Sequence, residues 1–103
     1  MSTRARLPDR RLHELIDFEH RGFKFTAGIG RYSDGRPAEI FINAAKAGSP
    51  LEAQARDAAI LASFALQLGG ELDTLRRALL RDARGNPSSP IGVALDLIAE
   101  GEI

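Results

Sequence analysis

The chain has 103 residues, with 14 lysines or arginines balanced by 14 aspartates or glutamates. This length fits one domain with a small core, and the balanced charge excludes a general attraction to nucleic acids or membranes. There is no cysteine, which excludes disulfides, thiolate nucleophiles, thiyl radicals and cysteine metal sites. No stretch resembles a signal peptide or is long enough to cross a bilayer, so we expect a cytoplasmic protein without membrane contacts.

The first residues, MSTRARLPDRR, are polar and rich in arginine. We predict a basic N-terminal arm over residues 1–11, followed by a single domain over residues 12–103. The arm is either a solvated chain end or a segment that contacts a polyanion. It contains no aromatic side chain that could stack on bases, which favours the first alternative.

Three segments after the arm alternate apolar and polar residues with the period of two that is typical of β-strands. Their apolar positions are Leu12, Ile16 and Phe18; Phe23, Phe25, Ala27 and Ile29; and Ala38, Ile40 and Ile42. The turn sequences HRGF and SDGR between them predict two hairpins, and hence a three-stranded antiparallel meander. Gly28 and Gly30 indicate a bulge or a close backbone contact. The third strand is a candidate exposed edge through which a homodimer could form.

A long helix is predicted directly after the strands. Ser49 is a suitable N-cap, Pro50 suits the first helical position, and Glu52 completes a capping box. The helix should end near Leu68, before two glycines. Because its residues from Ala58 onward are apolar almost all round, we expect this half of the helix to be buried on several sides.

Two shorter helices follow, the second starting at the N-cap candidate Ser89. Their apolar stripes are Leu72, Leu75, Ala78 and Leu79 in the first, and Ile91, Leu95 and Ile98 in the second. The element order is therefore β-β-β-α-α-α. It predicts an α+β fold of two layers, in which a three-stranded antiparallel meander packs on three helices.

One group of candidate binding residues follows the second hairpin and comprises Arg36, Glu39, Asn43, Lys46 and Ser49. Lys46 and the helix start at Ser49 could bind an anion. The capping box explains Ser49 without a ligand, however, and a phosphate-loop motif is absent. Glu39 could be a catalytic acid or base, but the sequence offers no partner group that would shift its pKa, and a solvated strand face is the alternative.

The second group, Arg76, Arg77 and Arg81, belongs to the densest basic cluster of the chain. It could bind the phosphates of a nucleotide or the acidic surface of a protein partner. The alternative is an exposed helix face that neighbouring carboxylates neutralise. His13 and His20 lie on opposite faces of the first strand and do not form a metal pair. We therefore predict no metal, no cofactor and no catalytic residue.

Two runs of the sequence resemble the TSCPD domain, which is found at the C-terminus of adenosylcobalamin-dependent (class II) ribonucleotide reductases and in small stand-alone bacterial proteins. The runs are DGRPAEIFINAAKAGSP, from Asp34 to Pro50, and ARDAAILASFALQLGGELDTLRRAL, from Ala55 to Leu79. They are similar to the family pattern DGRPGEIFI, AKEGS and SLALQYG, and Ser63 and Gln67 are among the matching positions.

The chain departs from this family in having no Thr-Ser-Cys-Pro-Asp motif, no cysteine and no barrel for cobalamin. The resemblance therefore implies a non-catalytic accessory or regulatory module in nucleotide metabolism and DNA synthesis. Such a module would bind a ribonucleotide reductase large chain, or a nucleotide, through the region from Asp34 to Ser49 and the arginine cluster. The alternatives are a stand-alone nucleotide or nucleic-acid binding protein that uses its arginines, and a small enzyme that uses Glu39.

Overall fold

The structure is a computed structural model that describes residues 13–46 and 48–103. Its elements are the strands β1 (His13–His20), β2 (Phe23–Arg31) and β3 (Pro37–Ala44), followed by the helices α1 (Pro50–Gln67), α2 (Leu72–Ala78) and α3 (Pro90–Ala99). The predicted α+β class and the order of its elements are confirmed. The predicted arm over residues 1–11 and the first apolar position, Leu12, lie outside the described residues.

The three strands form one antiparallel sheet in the order β1-β2-β3. A two-residue turn joins β1 to β2, and both of its residues have positive φ angles, 53° at Arg21 and 84° at Gly22. Such angles are those of a type I′ turn, whose twist matches that of the flanking strands. The second turn is closed by the Tyr32 N–H, which donates to the Arg36 carbonyl at 2.9 Å. Both predicted hairpins are present.

The inner face of the sheet carries the core of the domain. Its buried residues are Phe25, Ala27 and Ile29 of β2, and Ala38, Ile40 and Ile42 of β3. On β1, Ile16 and Phe18 are half-buried, and the Phe18 ring stacks on Phe25 with their centroids 5.4 Å apart. Phe23 was predicted to belong to this buried set, but it is 55% exposed because it lies beside the turn at the end of the sheet.

The two glycines of β2 have different roles. Gly28 lies beneath the ring of Phe41, and a Cβ atom at this position would overlap that ring. At Gly30 the pairing with β3 shifts register, as in a β-bulge. Arg31 follows this shift, and its guanidinium donates to the carbonyls of Ile103 at 2.6 Å and Gly35 at 2.9 Å.

Helix α1 begins as the sequence predicts. The Ser49 hydroxyl accepts a hydrogen bond from the Glu52 N–H at 3.1 Å, and Pro50 is the first helical residue. In a standard capping box the Glu52 carboxylate would accept from the N–H of the N-cap residue, Ser49. Here it accepts instead from the N–H of the preceding residue, Gly48, at 3.0 Å. The helix ends at the C-cap Leu68.

We expect Ser49→Ala to lower the free energy of unfolding by about 1 kcal/mol, because the Glu52 N–H then loses its acceptor. Urea unfolding of the two proteins measures this difference. Ser49→Thr keeps a hydroxyl at the N-cap and serves as the matched control, with a stability close to that of the parent chain. Equal losses in both variants would show that the hydroxyl does not stabilise the helix start.

Small residues bring α1 close to β3. Ala55, Ala59 and Ser63 form the buried side of the helix, spaced four apart so that they share one face. The other sides of α1 are more exposed than was predicted. They carry the apolar residues Ile60, Leu61, Phe64 and Leu68, which are 43% to 70% exposed. The prediction that the second half of α1 is buried on several sides is therefore wrong. Helix α1 has 18 residues, whereas α2 and α3 have 7 and 10, so these two helices are too short to cover it.

Helices α2 and α3 pack against each other beside α1. The stripe on α3 is confirmed, with Ile91, Leu95 and Ile98 at most 8% exposed, and its N-cap Ser89 accepts from the Gly92 N–H at 3.2 Å. The leucines predicted for the stripe on α2 are half-buried, whereas Ala78 is exposed. The second layer is thus complete over β2 and β3 but leaves part of α1 uncovered.

Candidate functional site

The structure does not bring the predicted binding residues together. Arg36 lies in the turn before β3, and Lys46 lies after its end. The eight residues of this strand separate them by about 26 Å. The arginines of the second group lie on and after α2. The predicted residues therefore occupy separate places rather than one site.

Arg36 is held within its own turn. Its Nε donates to the Asp34 carboxylate at 2.7 Å, and its guanidinium lies 5.0 Å from the centre of the Tyr32 ring. The backbone N–H of Arg36 and then its side chain lower the pKa of Asp34 below the usual 3.8. Both charged side chains are more than half exposed, so this pair shapes the turn more than it stabilises the fold.

Glu39 and Asn43 share the outer face of the sheet. They lie opposite Gly30 and Thr26 of β2, and the Phe41 ring lies between them over Gly28. Glu39 is half-buried and Asn43 is exposed. This face presents polar groups around one aromatic ring.

Lys46 is exposed next to the start of α1. The anion site that the sequence left open at this helix start is occupied by protein groups. The Glu52 carboxylate accepts from the Gly48 N–H, and the Ser49 hydroxyl accepts from the Glu52 N–H. The capping interpretation therefore accounts for this segment.

Two arginines, one in α2 and one after it, bind a carboxylate of α3. Arg81 donates to both oxygens of Asp96, at 2.6 Å and 2.9 Å, and Arg76 Nε donates to the same carboxylate at 3.1 Å. Arg77 pairs with Asp73 at 3.1 Å. Arg81 also donates to the Gly85 carbonyl in the loop that leads to α3. The pairs tie α2, the loop and α3 together.

Arg76, Arg81 and Asp96 form a triad of charged side chains. Their mutual contacts lower the pKa of the carboxylate and raise the pKa of each arginine, as expected for ion pairs. The hydrogen bonds from Arg81 are the main cause that lowers the pKa of Asp96, and Arg76 adds to them against the opposing effect of burial. The Asp96 carboxylate raises the pKa of Arg81, and Asp73 followed by Asp96 raises that of Arg76. Asp96 is only 14% exposed. These arginines therefore stabilise the fold and are not free for a phosphate.

An apolar groove that was not predicted from the sequence lies on the helical side of the molecule. The groove has a volume of about 300 Å³ and its lining is almost entirely apolar. Six of its lining residues define the helical groove: Leu61 and Ala65 of α1, Leu75 and Leu79 in and after α2, and Ile91 and Leu95 of α3. The signal in the sequence was the apolar surplus around α1, which two short helices cannot bury.

Within residues 13–46 and 48–103, no group of three or more histidines, aspartates or glutamates could hold a metal ion. None of the helices in these ranges is both long and apolar enough to cross a membrane.

The chain is similar to part of two much larger enzymes. It is 35% identical over 91 residues to a vitamin B12-dependent ribonucleotide reductase of Bradyrhizobium diazoefficiens, and the match covers 88% of this chain and 7% of that protein. It is 36% identical over 72 residues to the enzyme of the same name from Rhodopirellula baltica, covering 70% of this chain and 7% of that one. No protein-family model and no solved structure matches. The chain is therefore related to a short segment of vitamin B12-dependent ribonucleotide reductases.

Proposed function

We propose that this chain is a non-catalytic accessory module that binds the large chain of a vitamin B12-dependent ribonucleotide reductase through its helical groove. The narrower assignment to the TSCPD domain belongs to the same proposal. Two runs of the sequence support this assignment, from Asp34 to Pro50 and from Ala55 to Leu79, because both resemble the pattern of that family.

The helical groove is the single observation that carries this proposal. Leu61 is 70% exposed at its margin, and Leu75, Leu79 and Ile91 line it. Exposed apolar surface of this kind marks interaction sites in proteins that remain folded in water. An apolar element of a partner can fill the groove without leaving a buried polar group unpaired.

The two relatives suggest the partner. In each of them the similar segment is about 7% of the protein, so it is covalently joined to a much longer chain against which it can pack. A reductase large chain is therefore the occupant that we propose for the groove.

The alternative functions have less support in the described residues. Nucleotide or nucleic-acid binding was predicted through the arginine cluster, but Arg76, Arg77 and Arg81 are engaged by carboxylates of the same chain. Glu39 lies on an open strand face. Without a cysteine in the sequence, no residue can supply the thiyl or redox chemistry that the family resemblance associates with the reductase itself.

Titration calorimetry tests the proposal by measuring how this chain binds a purified large chain of vitamin B12-dependent ribonucleotide reductase. The large chain is taken from the organism to which this chain belongs. We expect saturable binding, and Leu61→Glu should weaken it at least about tenfold, because the introduced charge must be desolvated in an apolar interface. Leu80→Glu is the matched control, since Leu80 is also an exposed leucine, at 75%, but lies outside the helical groove. It should bind like the parent chain.

Two results would contradict the proposal. The first is no heat and no co-sedimentation with the large chain at tens of micromolar of both proteins. The second is an equal loss of affinity in Leu61→Glu and Leu80→Glu, which would place the contact outside the helical groove. The melting temperatures of both variants show whether they remain folded.

A further inference from the structure

We propose that the free edge of β1 is a second docking surface, which binds an extended segment of a partner protein with alternating basic and apolar side chains. This proposal does not depend on the reductase. Three observations support it. Side chains of α1 cover the β3 edge but, among the described residues, no element covers the β1 edge. Backbone groups of β1 point outward, and this strand carries exposed carboxylates.

The edge at β3 is closed by side chains of α1. The Ser63 hydroxyl accepts from the Ile40 N–H at 2.8 Å and lies 2.9 Å from the Ile40 carbonyl. The Gln67 amide donates to the Ala38 carbonyl at 2.9 Å. These groups point away from β2 and would otherwise pair with another strand. The prediction that β3 is an exposed edge is therefore wrong at these two residues, and a homodimer through β3 is not what the edge favours.

The edge at β1 has no such cover among the described residues. In these residues β1 has one neighbouring strand, β2. Backbone groups alternate between the two sides of an antiparallel strand, and the Lys24 carbonyl accepts from Ala45, on the β3 side. Phe23 and Phe25 therefore bond to β1, at His20 and Phe18. By the same alternation, the N–H and C=O groups of residues 15, 17 and 19 point outward.

The side chains of β1 indicate what kind of strand would fit there. Ile16 and Phe18 extend the apolar inner face to this edge and are half-buried. The outer face carries Asp17 and Glu19, both exposed. An incoming strand that places apolar side chains beside Ile16 and Phe18 would extend the core. Its alternate side chains would then lie beside the two carboxylates, where lysine or arginine is favoured.

Charge also distinguishes this occupant from a second copy of the chain. Strand β1 carries two carboxylates on its outer face, those of Asp17 and Glu19, whereas Glu14 lies on the other face and pairs with Arg31 at 3.4 Å. Pairing with another β1 would bring four outer-face carboxylates to one seam, which disfavours self-association. A basic strand neutralises them instead. Strand addition at a free edge is a common mode of peptide binding, in which the backbone supplies affinity and alternate side chains supply specificity.

Amide hydrogen exchange and chemical shifts of the full chain test the proposal with a synthetic peptide of eight alternating lysines and valines. In the free chain, the amides of residues 15, 17 and 19 should exchange fast and those of residues 14, 16 and 18 slowly. Millimolar peptide should slow the first set at least about fivefold and shift their resonances. A peptide of alternating glutamates and valines is the control and should leave both unchanged.

Two variants separate edge pairing from general charge attraction. Leu15→Pro removes an outward N–H without removing a bond to β2 and should abolish the exchange effect while the hairpin remains. Glu19→Lys should weaken lysine–valine peptide binding about threefold and favour the glutamate–valine peptide, as expected for one exposed cross-strand pair. Melting temperatures show that both variants remain folded.

Three outcomes would overturn the proposal. Slow exchange at residues 15, 17 and 19 in the free monomeric chain would mean that the edge is already covered. Protection that increases with protein concentration alone would identify a second copy as the occupant. Equal binding of the lysine–valine peptide by Leu15→Pro and the parent chain would show that the peptide binds by charge and not as an added strand.

Discussion

Asp96→Ala is expected to lower the free energy of unfolding by about 3 kcal/mol, the largest effect that we predict for an ionisable residue of this chain. Asp96 is 14% exposed and accepts hydrogen bonds from Arg76 and Arg81. Removing one partner from a largely buried ion pair leaves charge without compensation, and the loss commonly reaches several kcal/mol. The variant also releases the loop that Arg81 holds through Gly85.

Urea and thermal unfolding measure this loss, which corresponds to a fall of about 15 °C in melting temperature for a domain of this size. Asp73→Ala is the matched control, because Asp73 also pairs with Arg76 but is 57% exposed. Its effect should stay below about 1 kcal/mol. Similar losses in the two variants would show that the triad is no more than a surface interaction.

The stabilisation by Asp96 should depend on pH in a defined direction. Hydrogen bonds from Arg81 lower the pKa of Asp96 below its ordinary value of 3.8. The unfolded chain therefore binds a proton at this residue at a higher pH than the folded chain does. The contribution is complete above the unfolded pKa and is lost as the pH falls through the folded one. The stability difference between the parent chain and Asp96→Ala should thus shrink below pH 4 and stay constant from pH 5 to 8.

Ser63→Ala should lower the free energy of unfolding by about 2 kcal/mol. The Ser63 hydroxyl is the partner of the Ile40 N–H and lies within hydrogen-bond distance of the carbonyls of Ile40 and Ala59. Ser63 is 7% exposed and Ile40 is 2% exposed. Alanine fits the space but leaves a buried N–H without an acceptor, and an unsatisfied group of this kind costs about 1–3 kcal/mol.

The measurement is again urea unfolding, with Ser33→Ala as the control at an exposed turn position. The control should change the stability by less than about 0.5 kcal/mol. The Ile40 amide adds a local readout, because its hydrogen exchange should accelerate in Ser63→Ala. A stability within about 0.5 kcal/mol of the parent chain, together with unchanged exchange at Ile40, would contradict the proposed closure of the β3 edge.

The strands and helix starts could be predicted from the sequence because they depend on local patterns. The alternation around Ile40 and Ile42 requires a strand with one buried face. The spacing of Ser49 and Glu52 is a helix start whichever partner the helix has. Such signals lie within a few residues of one another, and the structure confirms them.

Long-range partners could not be predicted in the same way. Asp96 is 15 residues from Arg81, and nothing in the spacing of the two residues indicates that they pair. Ser63 resembled one more small residue in an apolar helix, but it closes a sheet edge 23 residues away. Sequence alone gives a list of charges and hydroxyls, and the packing of the helices decides which of them are engaged by the protein itself.

The exposed side of α1 shows the opposite error. Leu61 and Phe64 were predicted to be buried because apolar residues surround the second half of the helix. The local pattern was correct, but the described chain has no further element long enough to cover it. A surplus of apolar side chains over the partners available within residues 13–46 and 48–103 is therefore a sequence signal for exposed apolar surface, and it points to the same groove that the structure shows.

The most direct test of the proposed function is hydrogen–deuterium exchange of the full chain, alone and saturated with the large chain of a vitamin B12-dependent ribonucleotide reductase. The account predicts slower exchange in the second half of α1, in α2 and at the start of α3, where the helical groove lies. Unchanged exchange in all three segments, at concentrations where the large chain is in excess, would contradict the claim that the groove binds this enzyme.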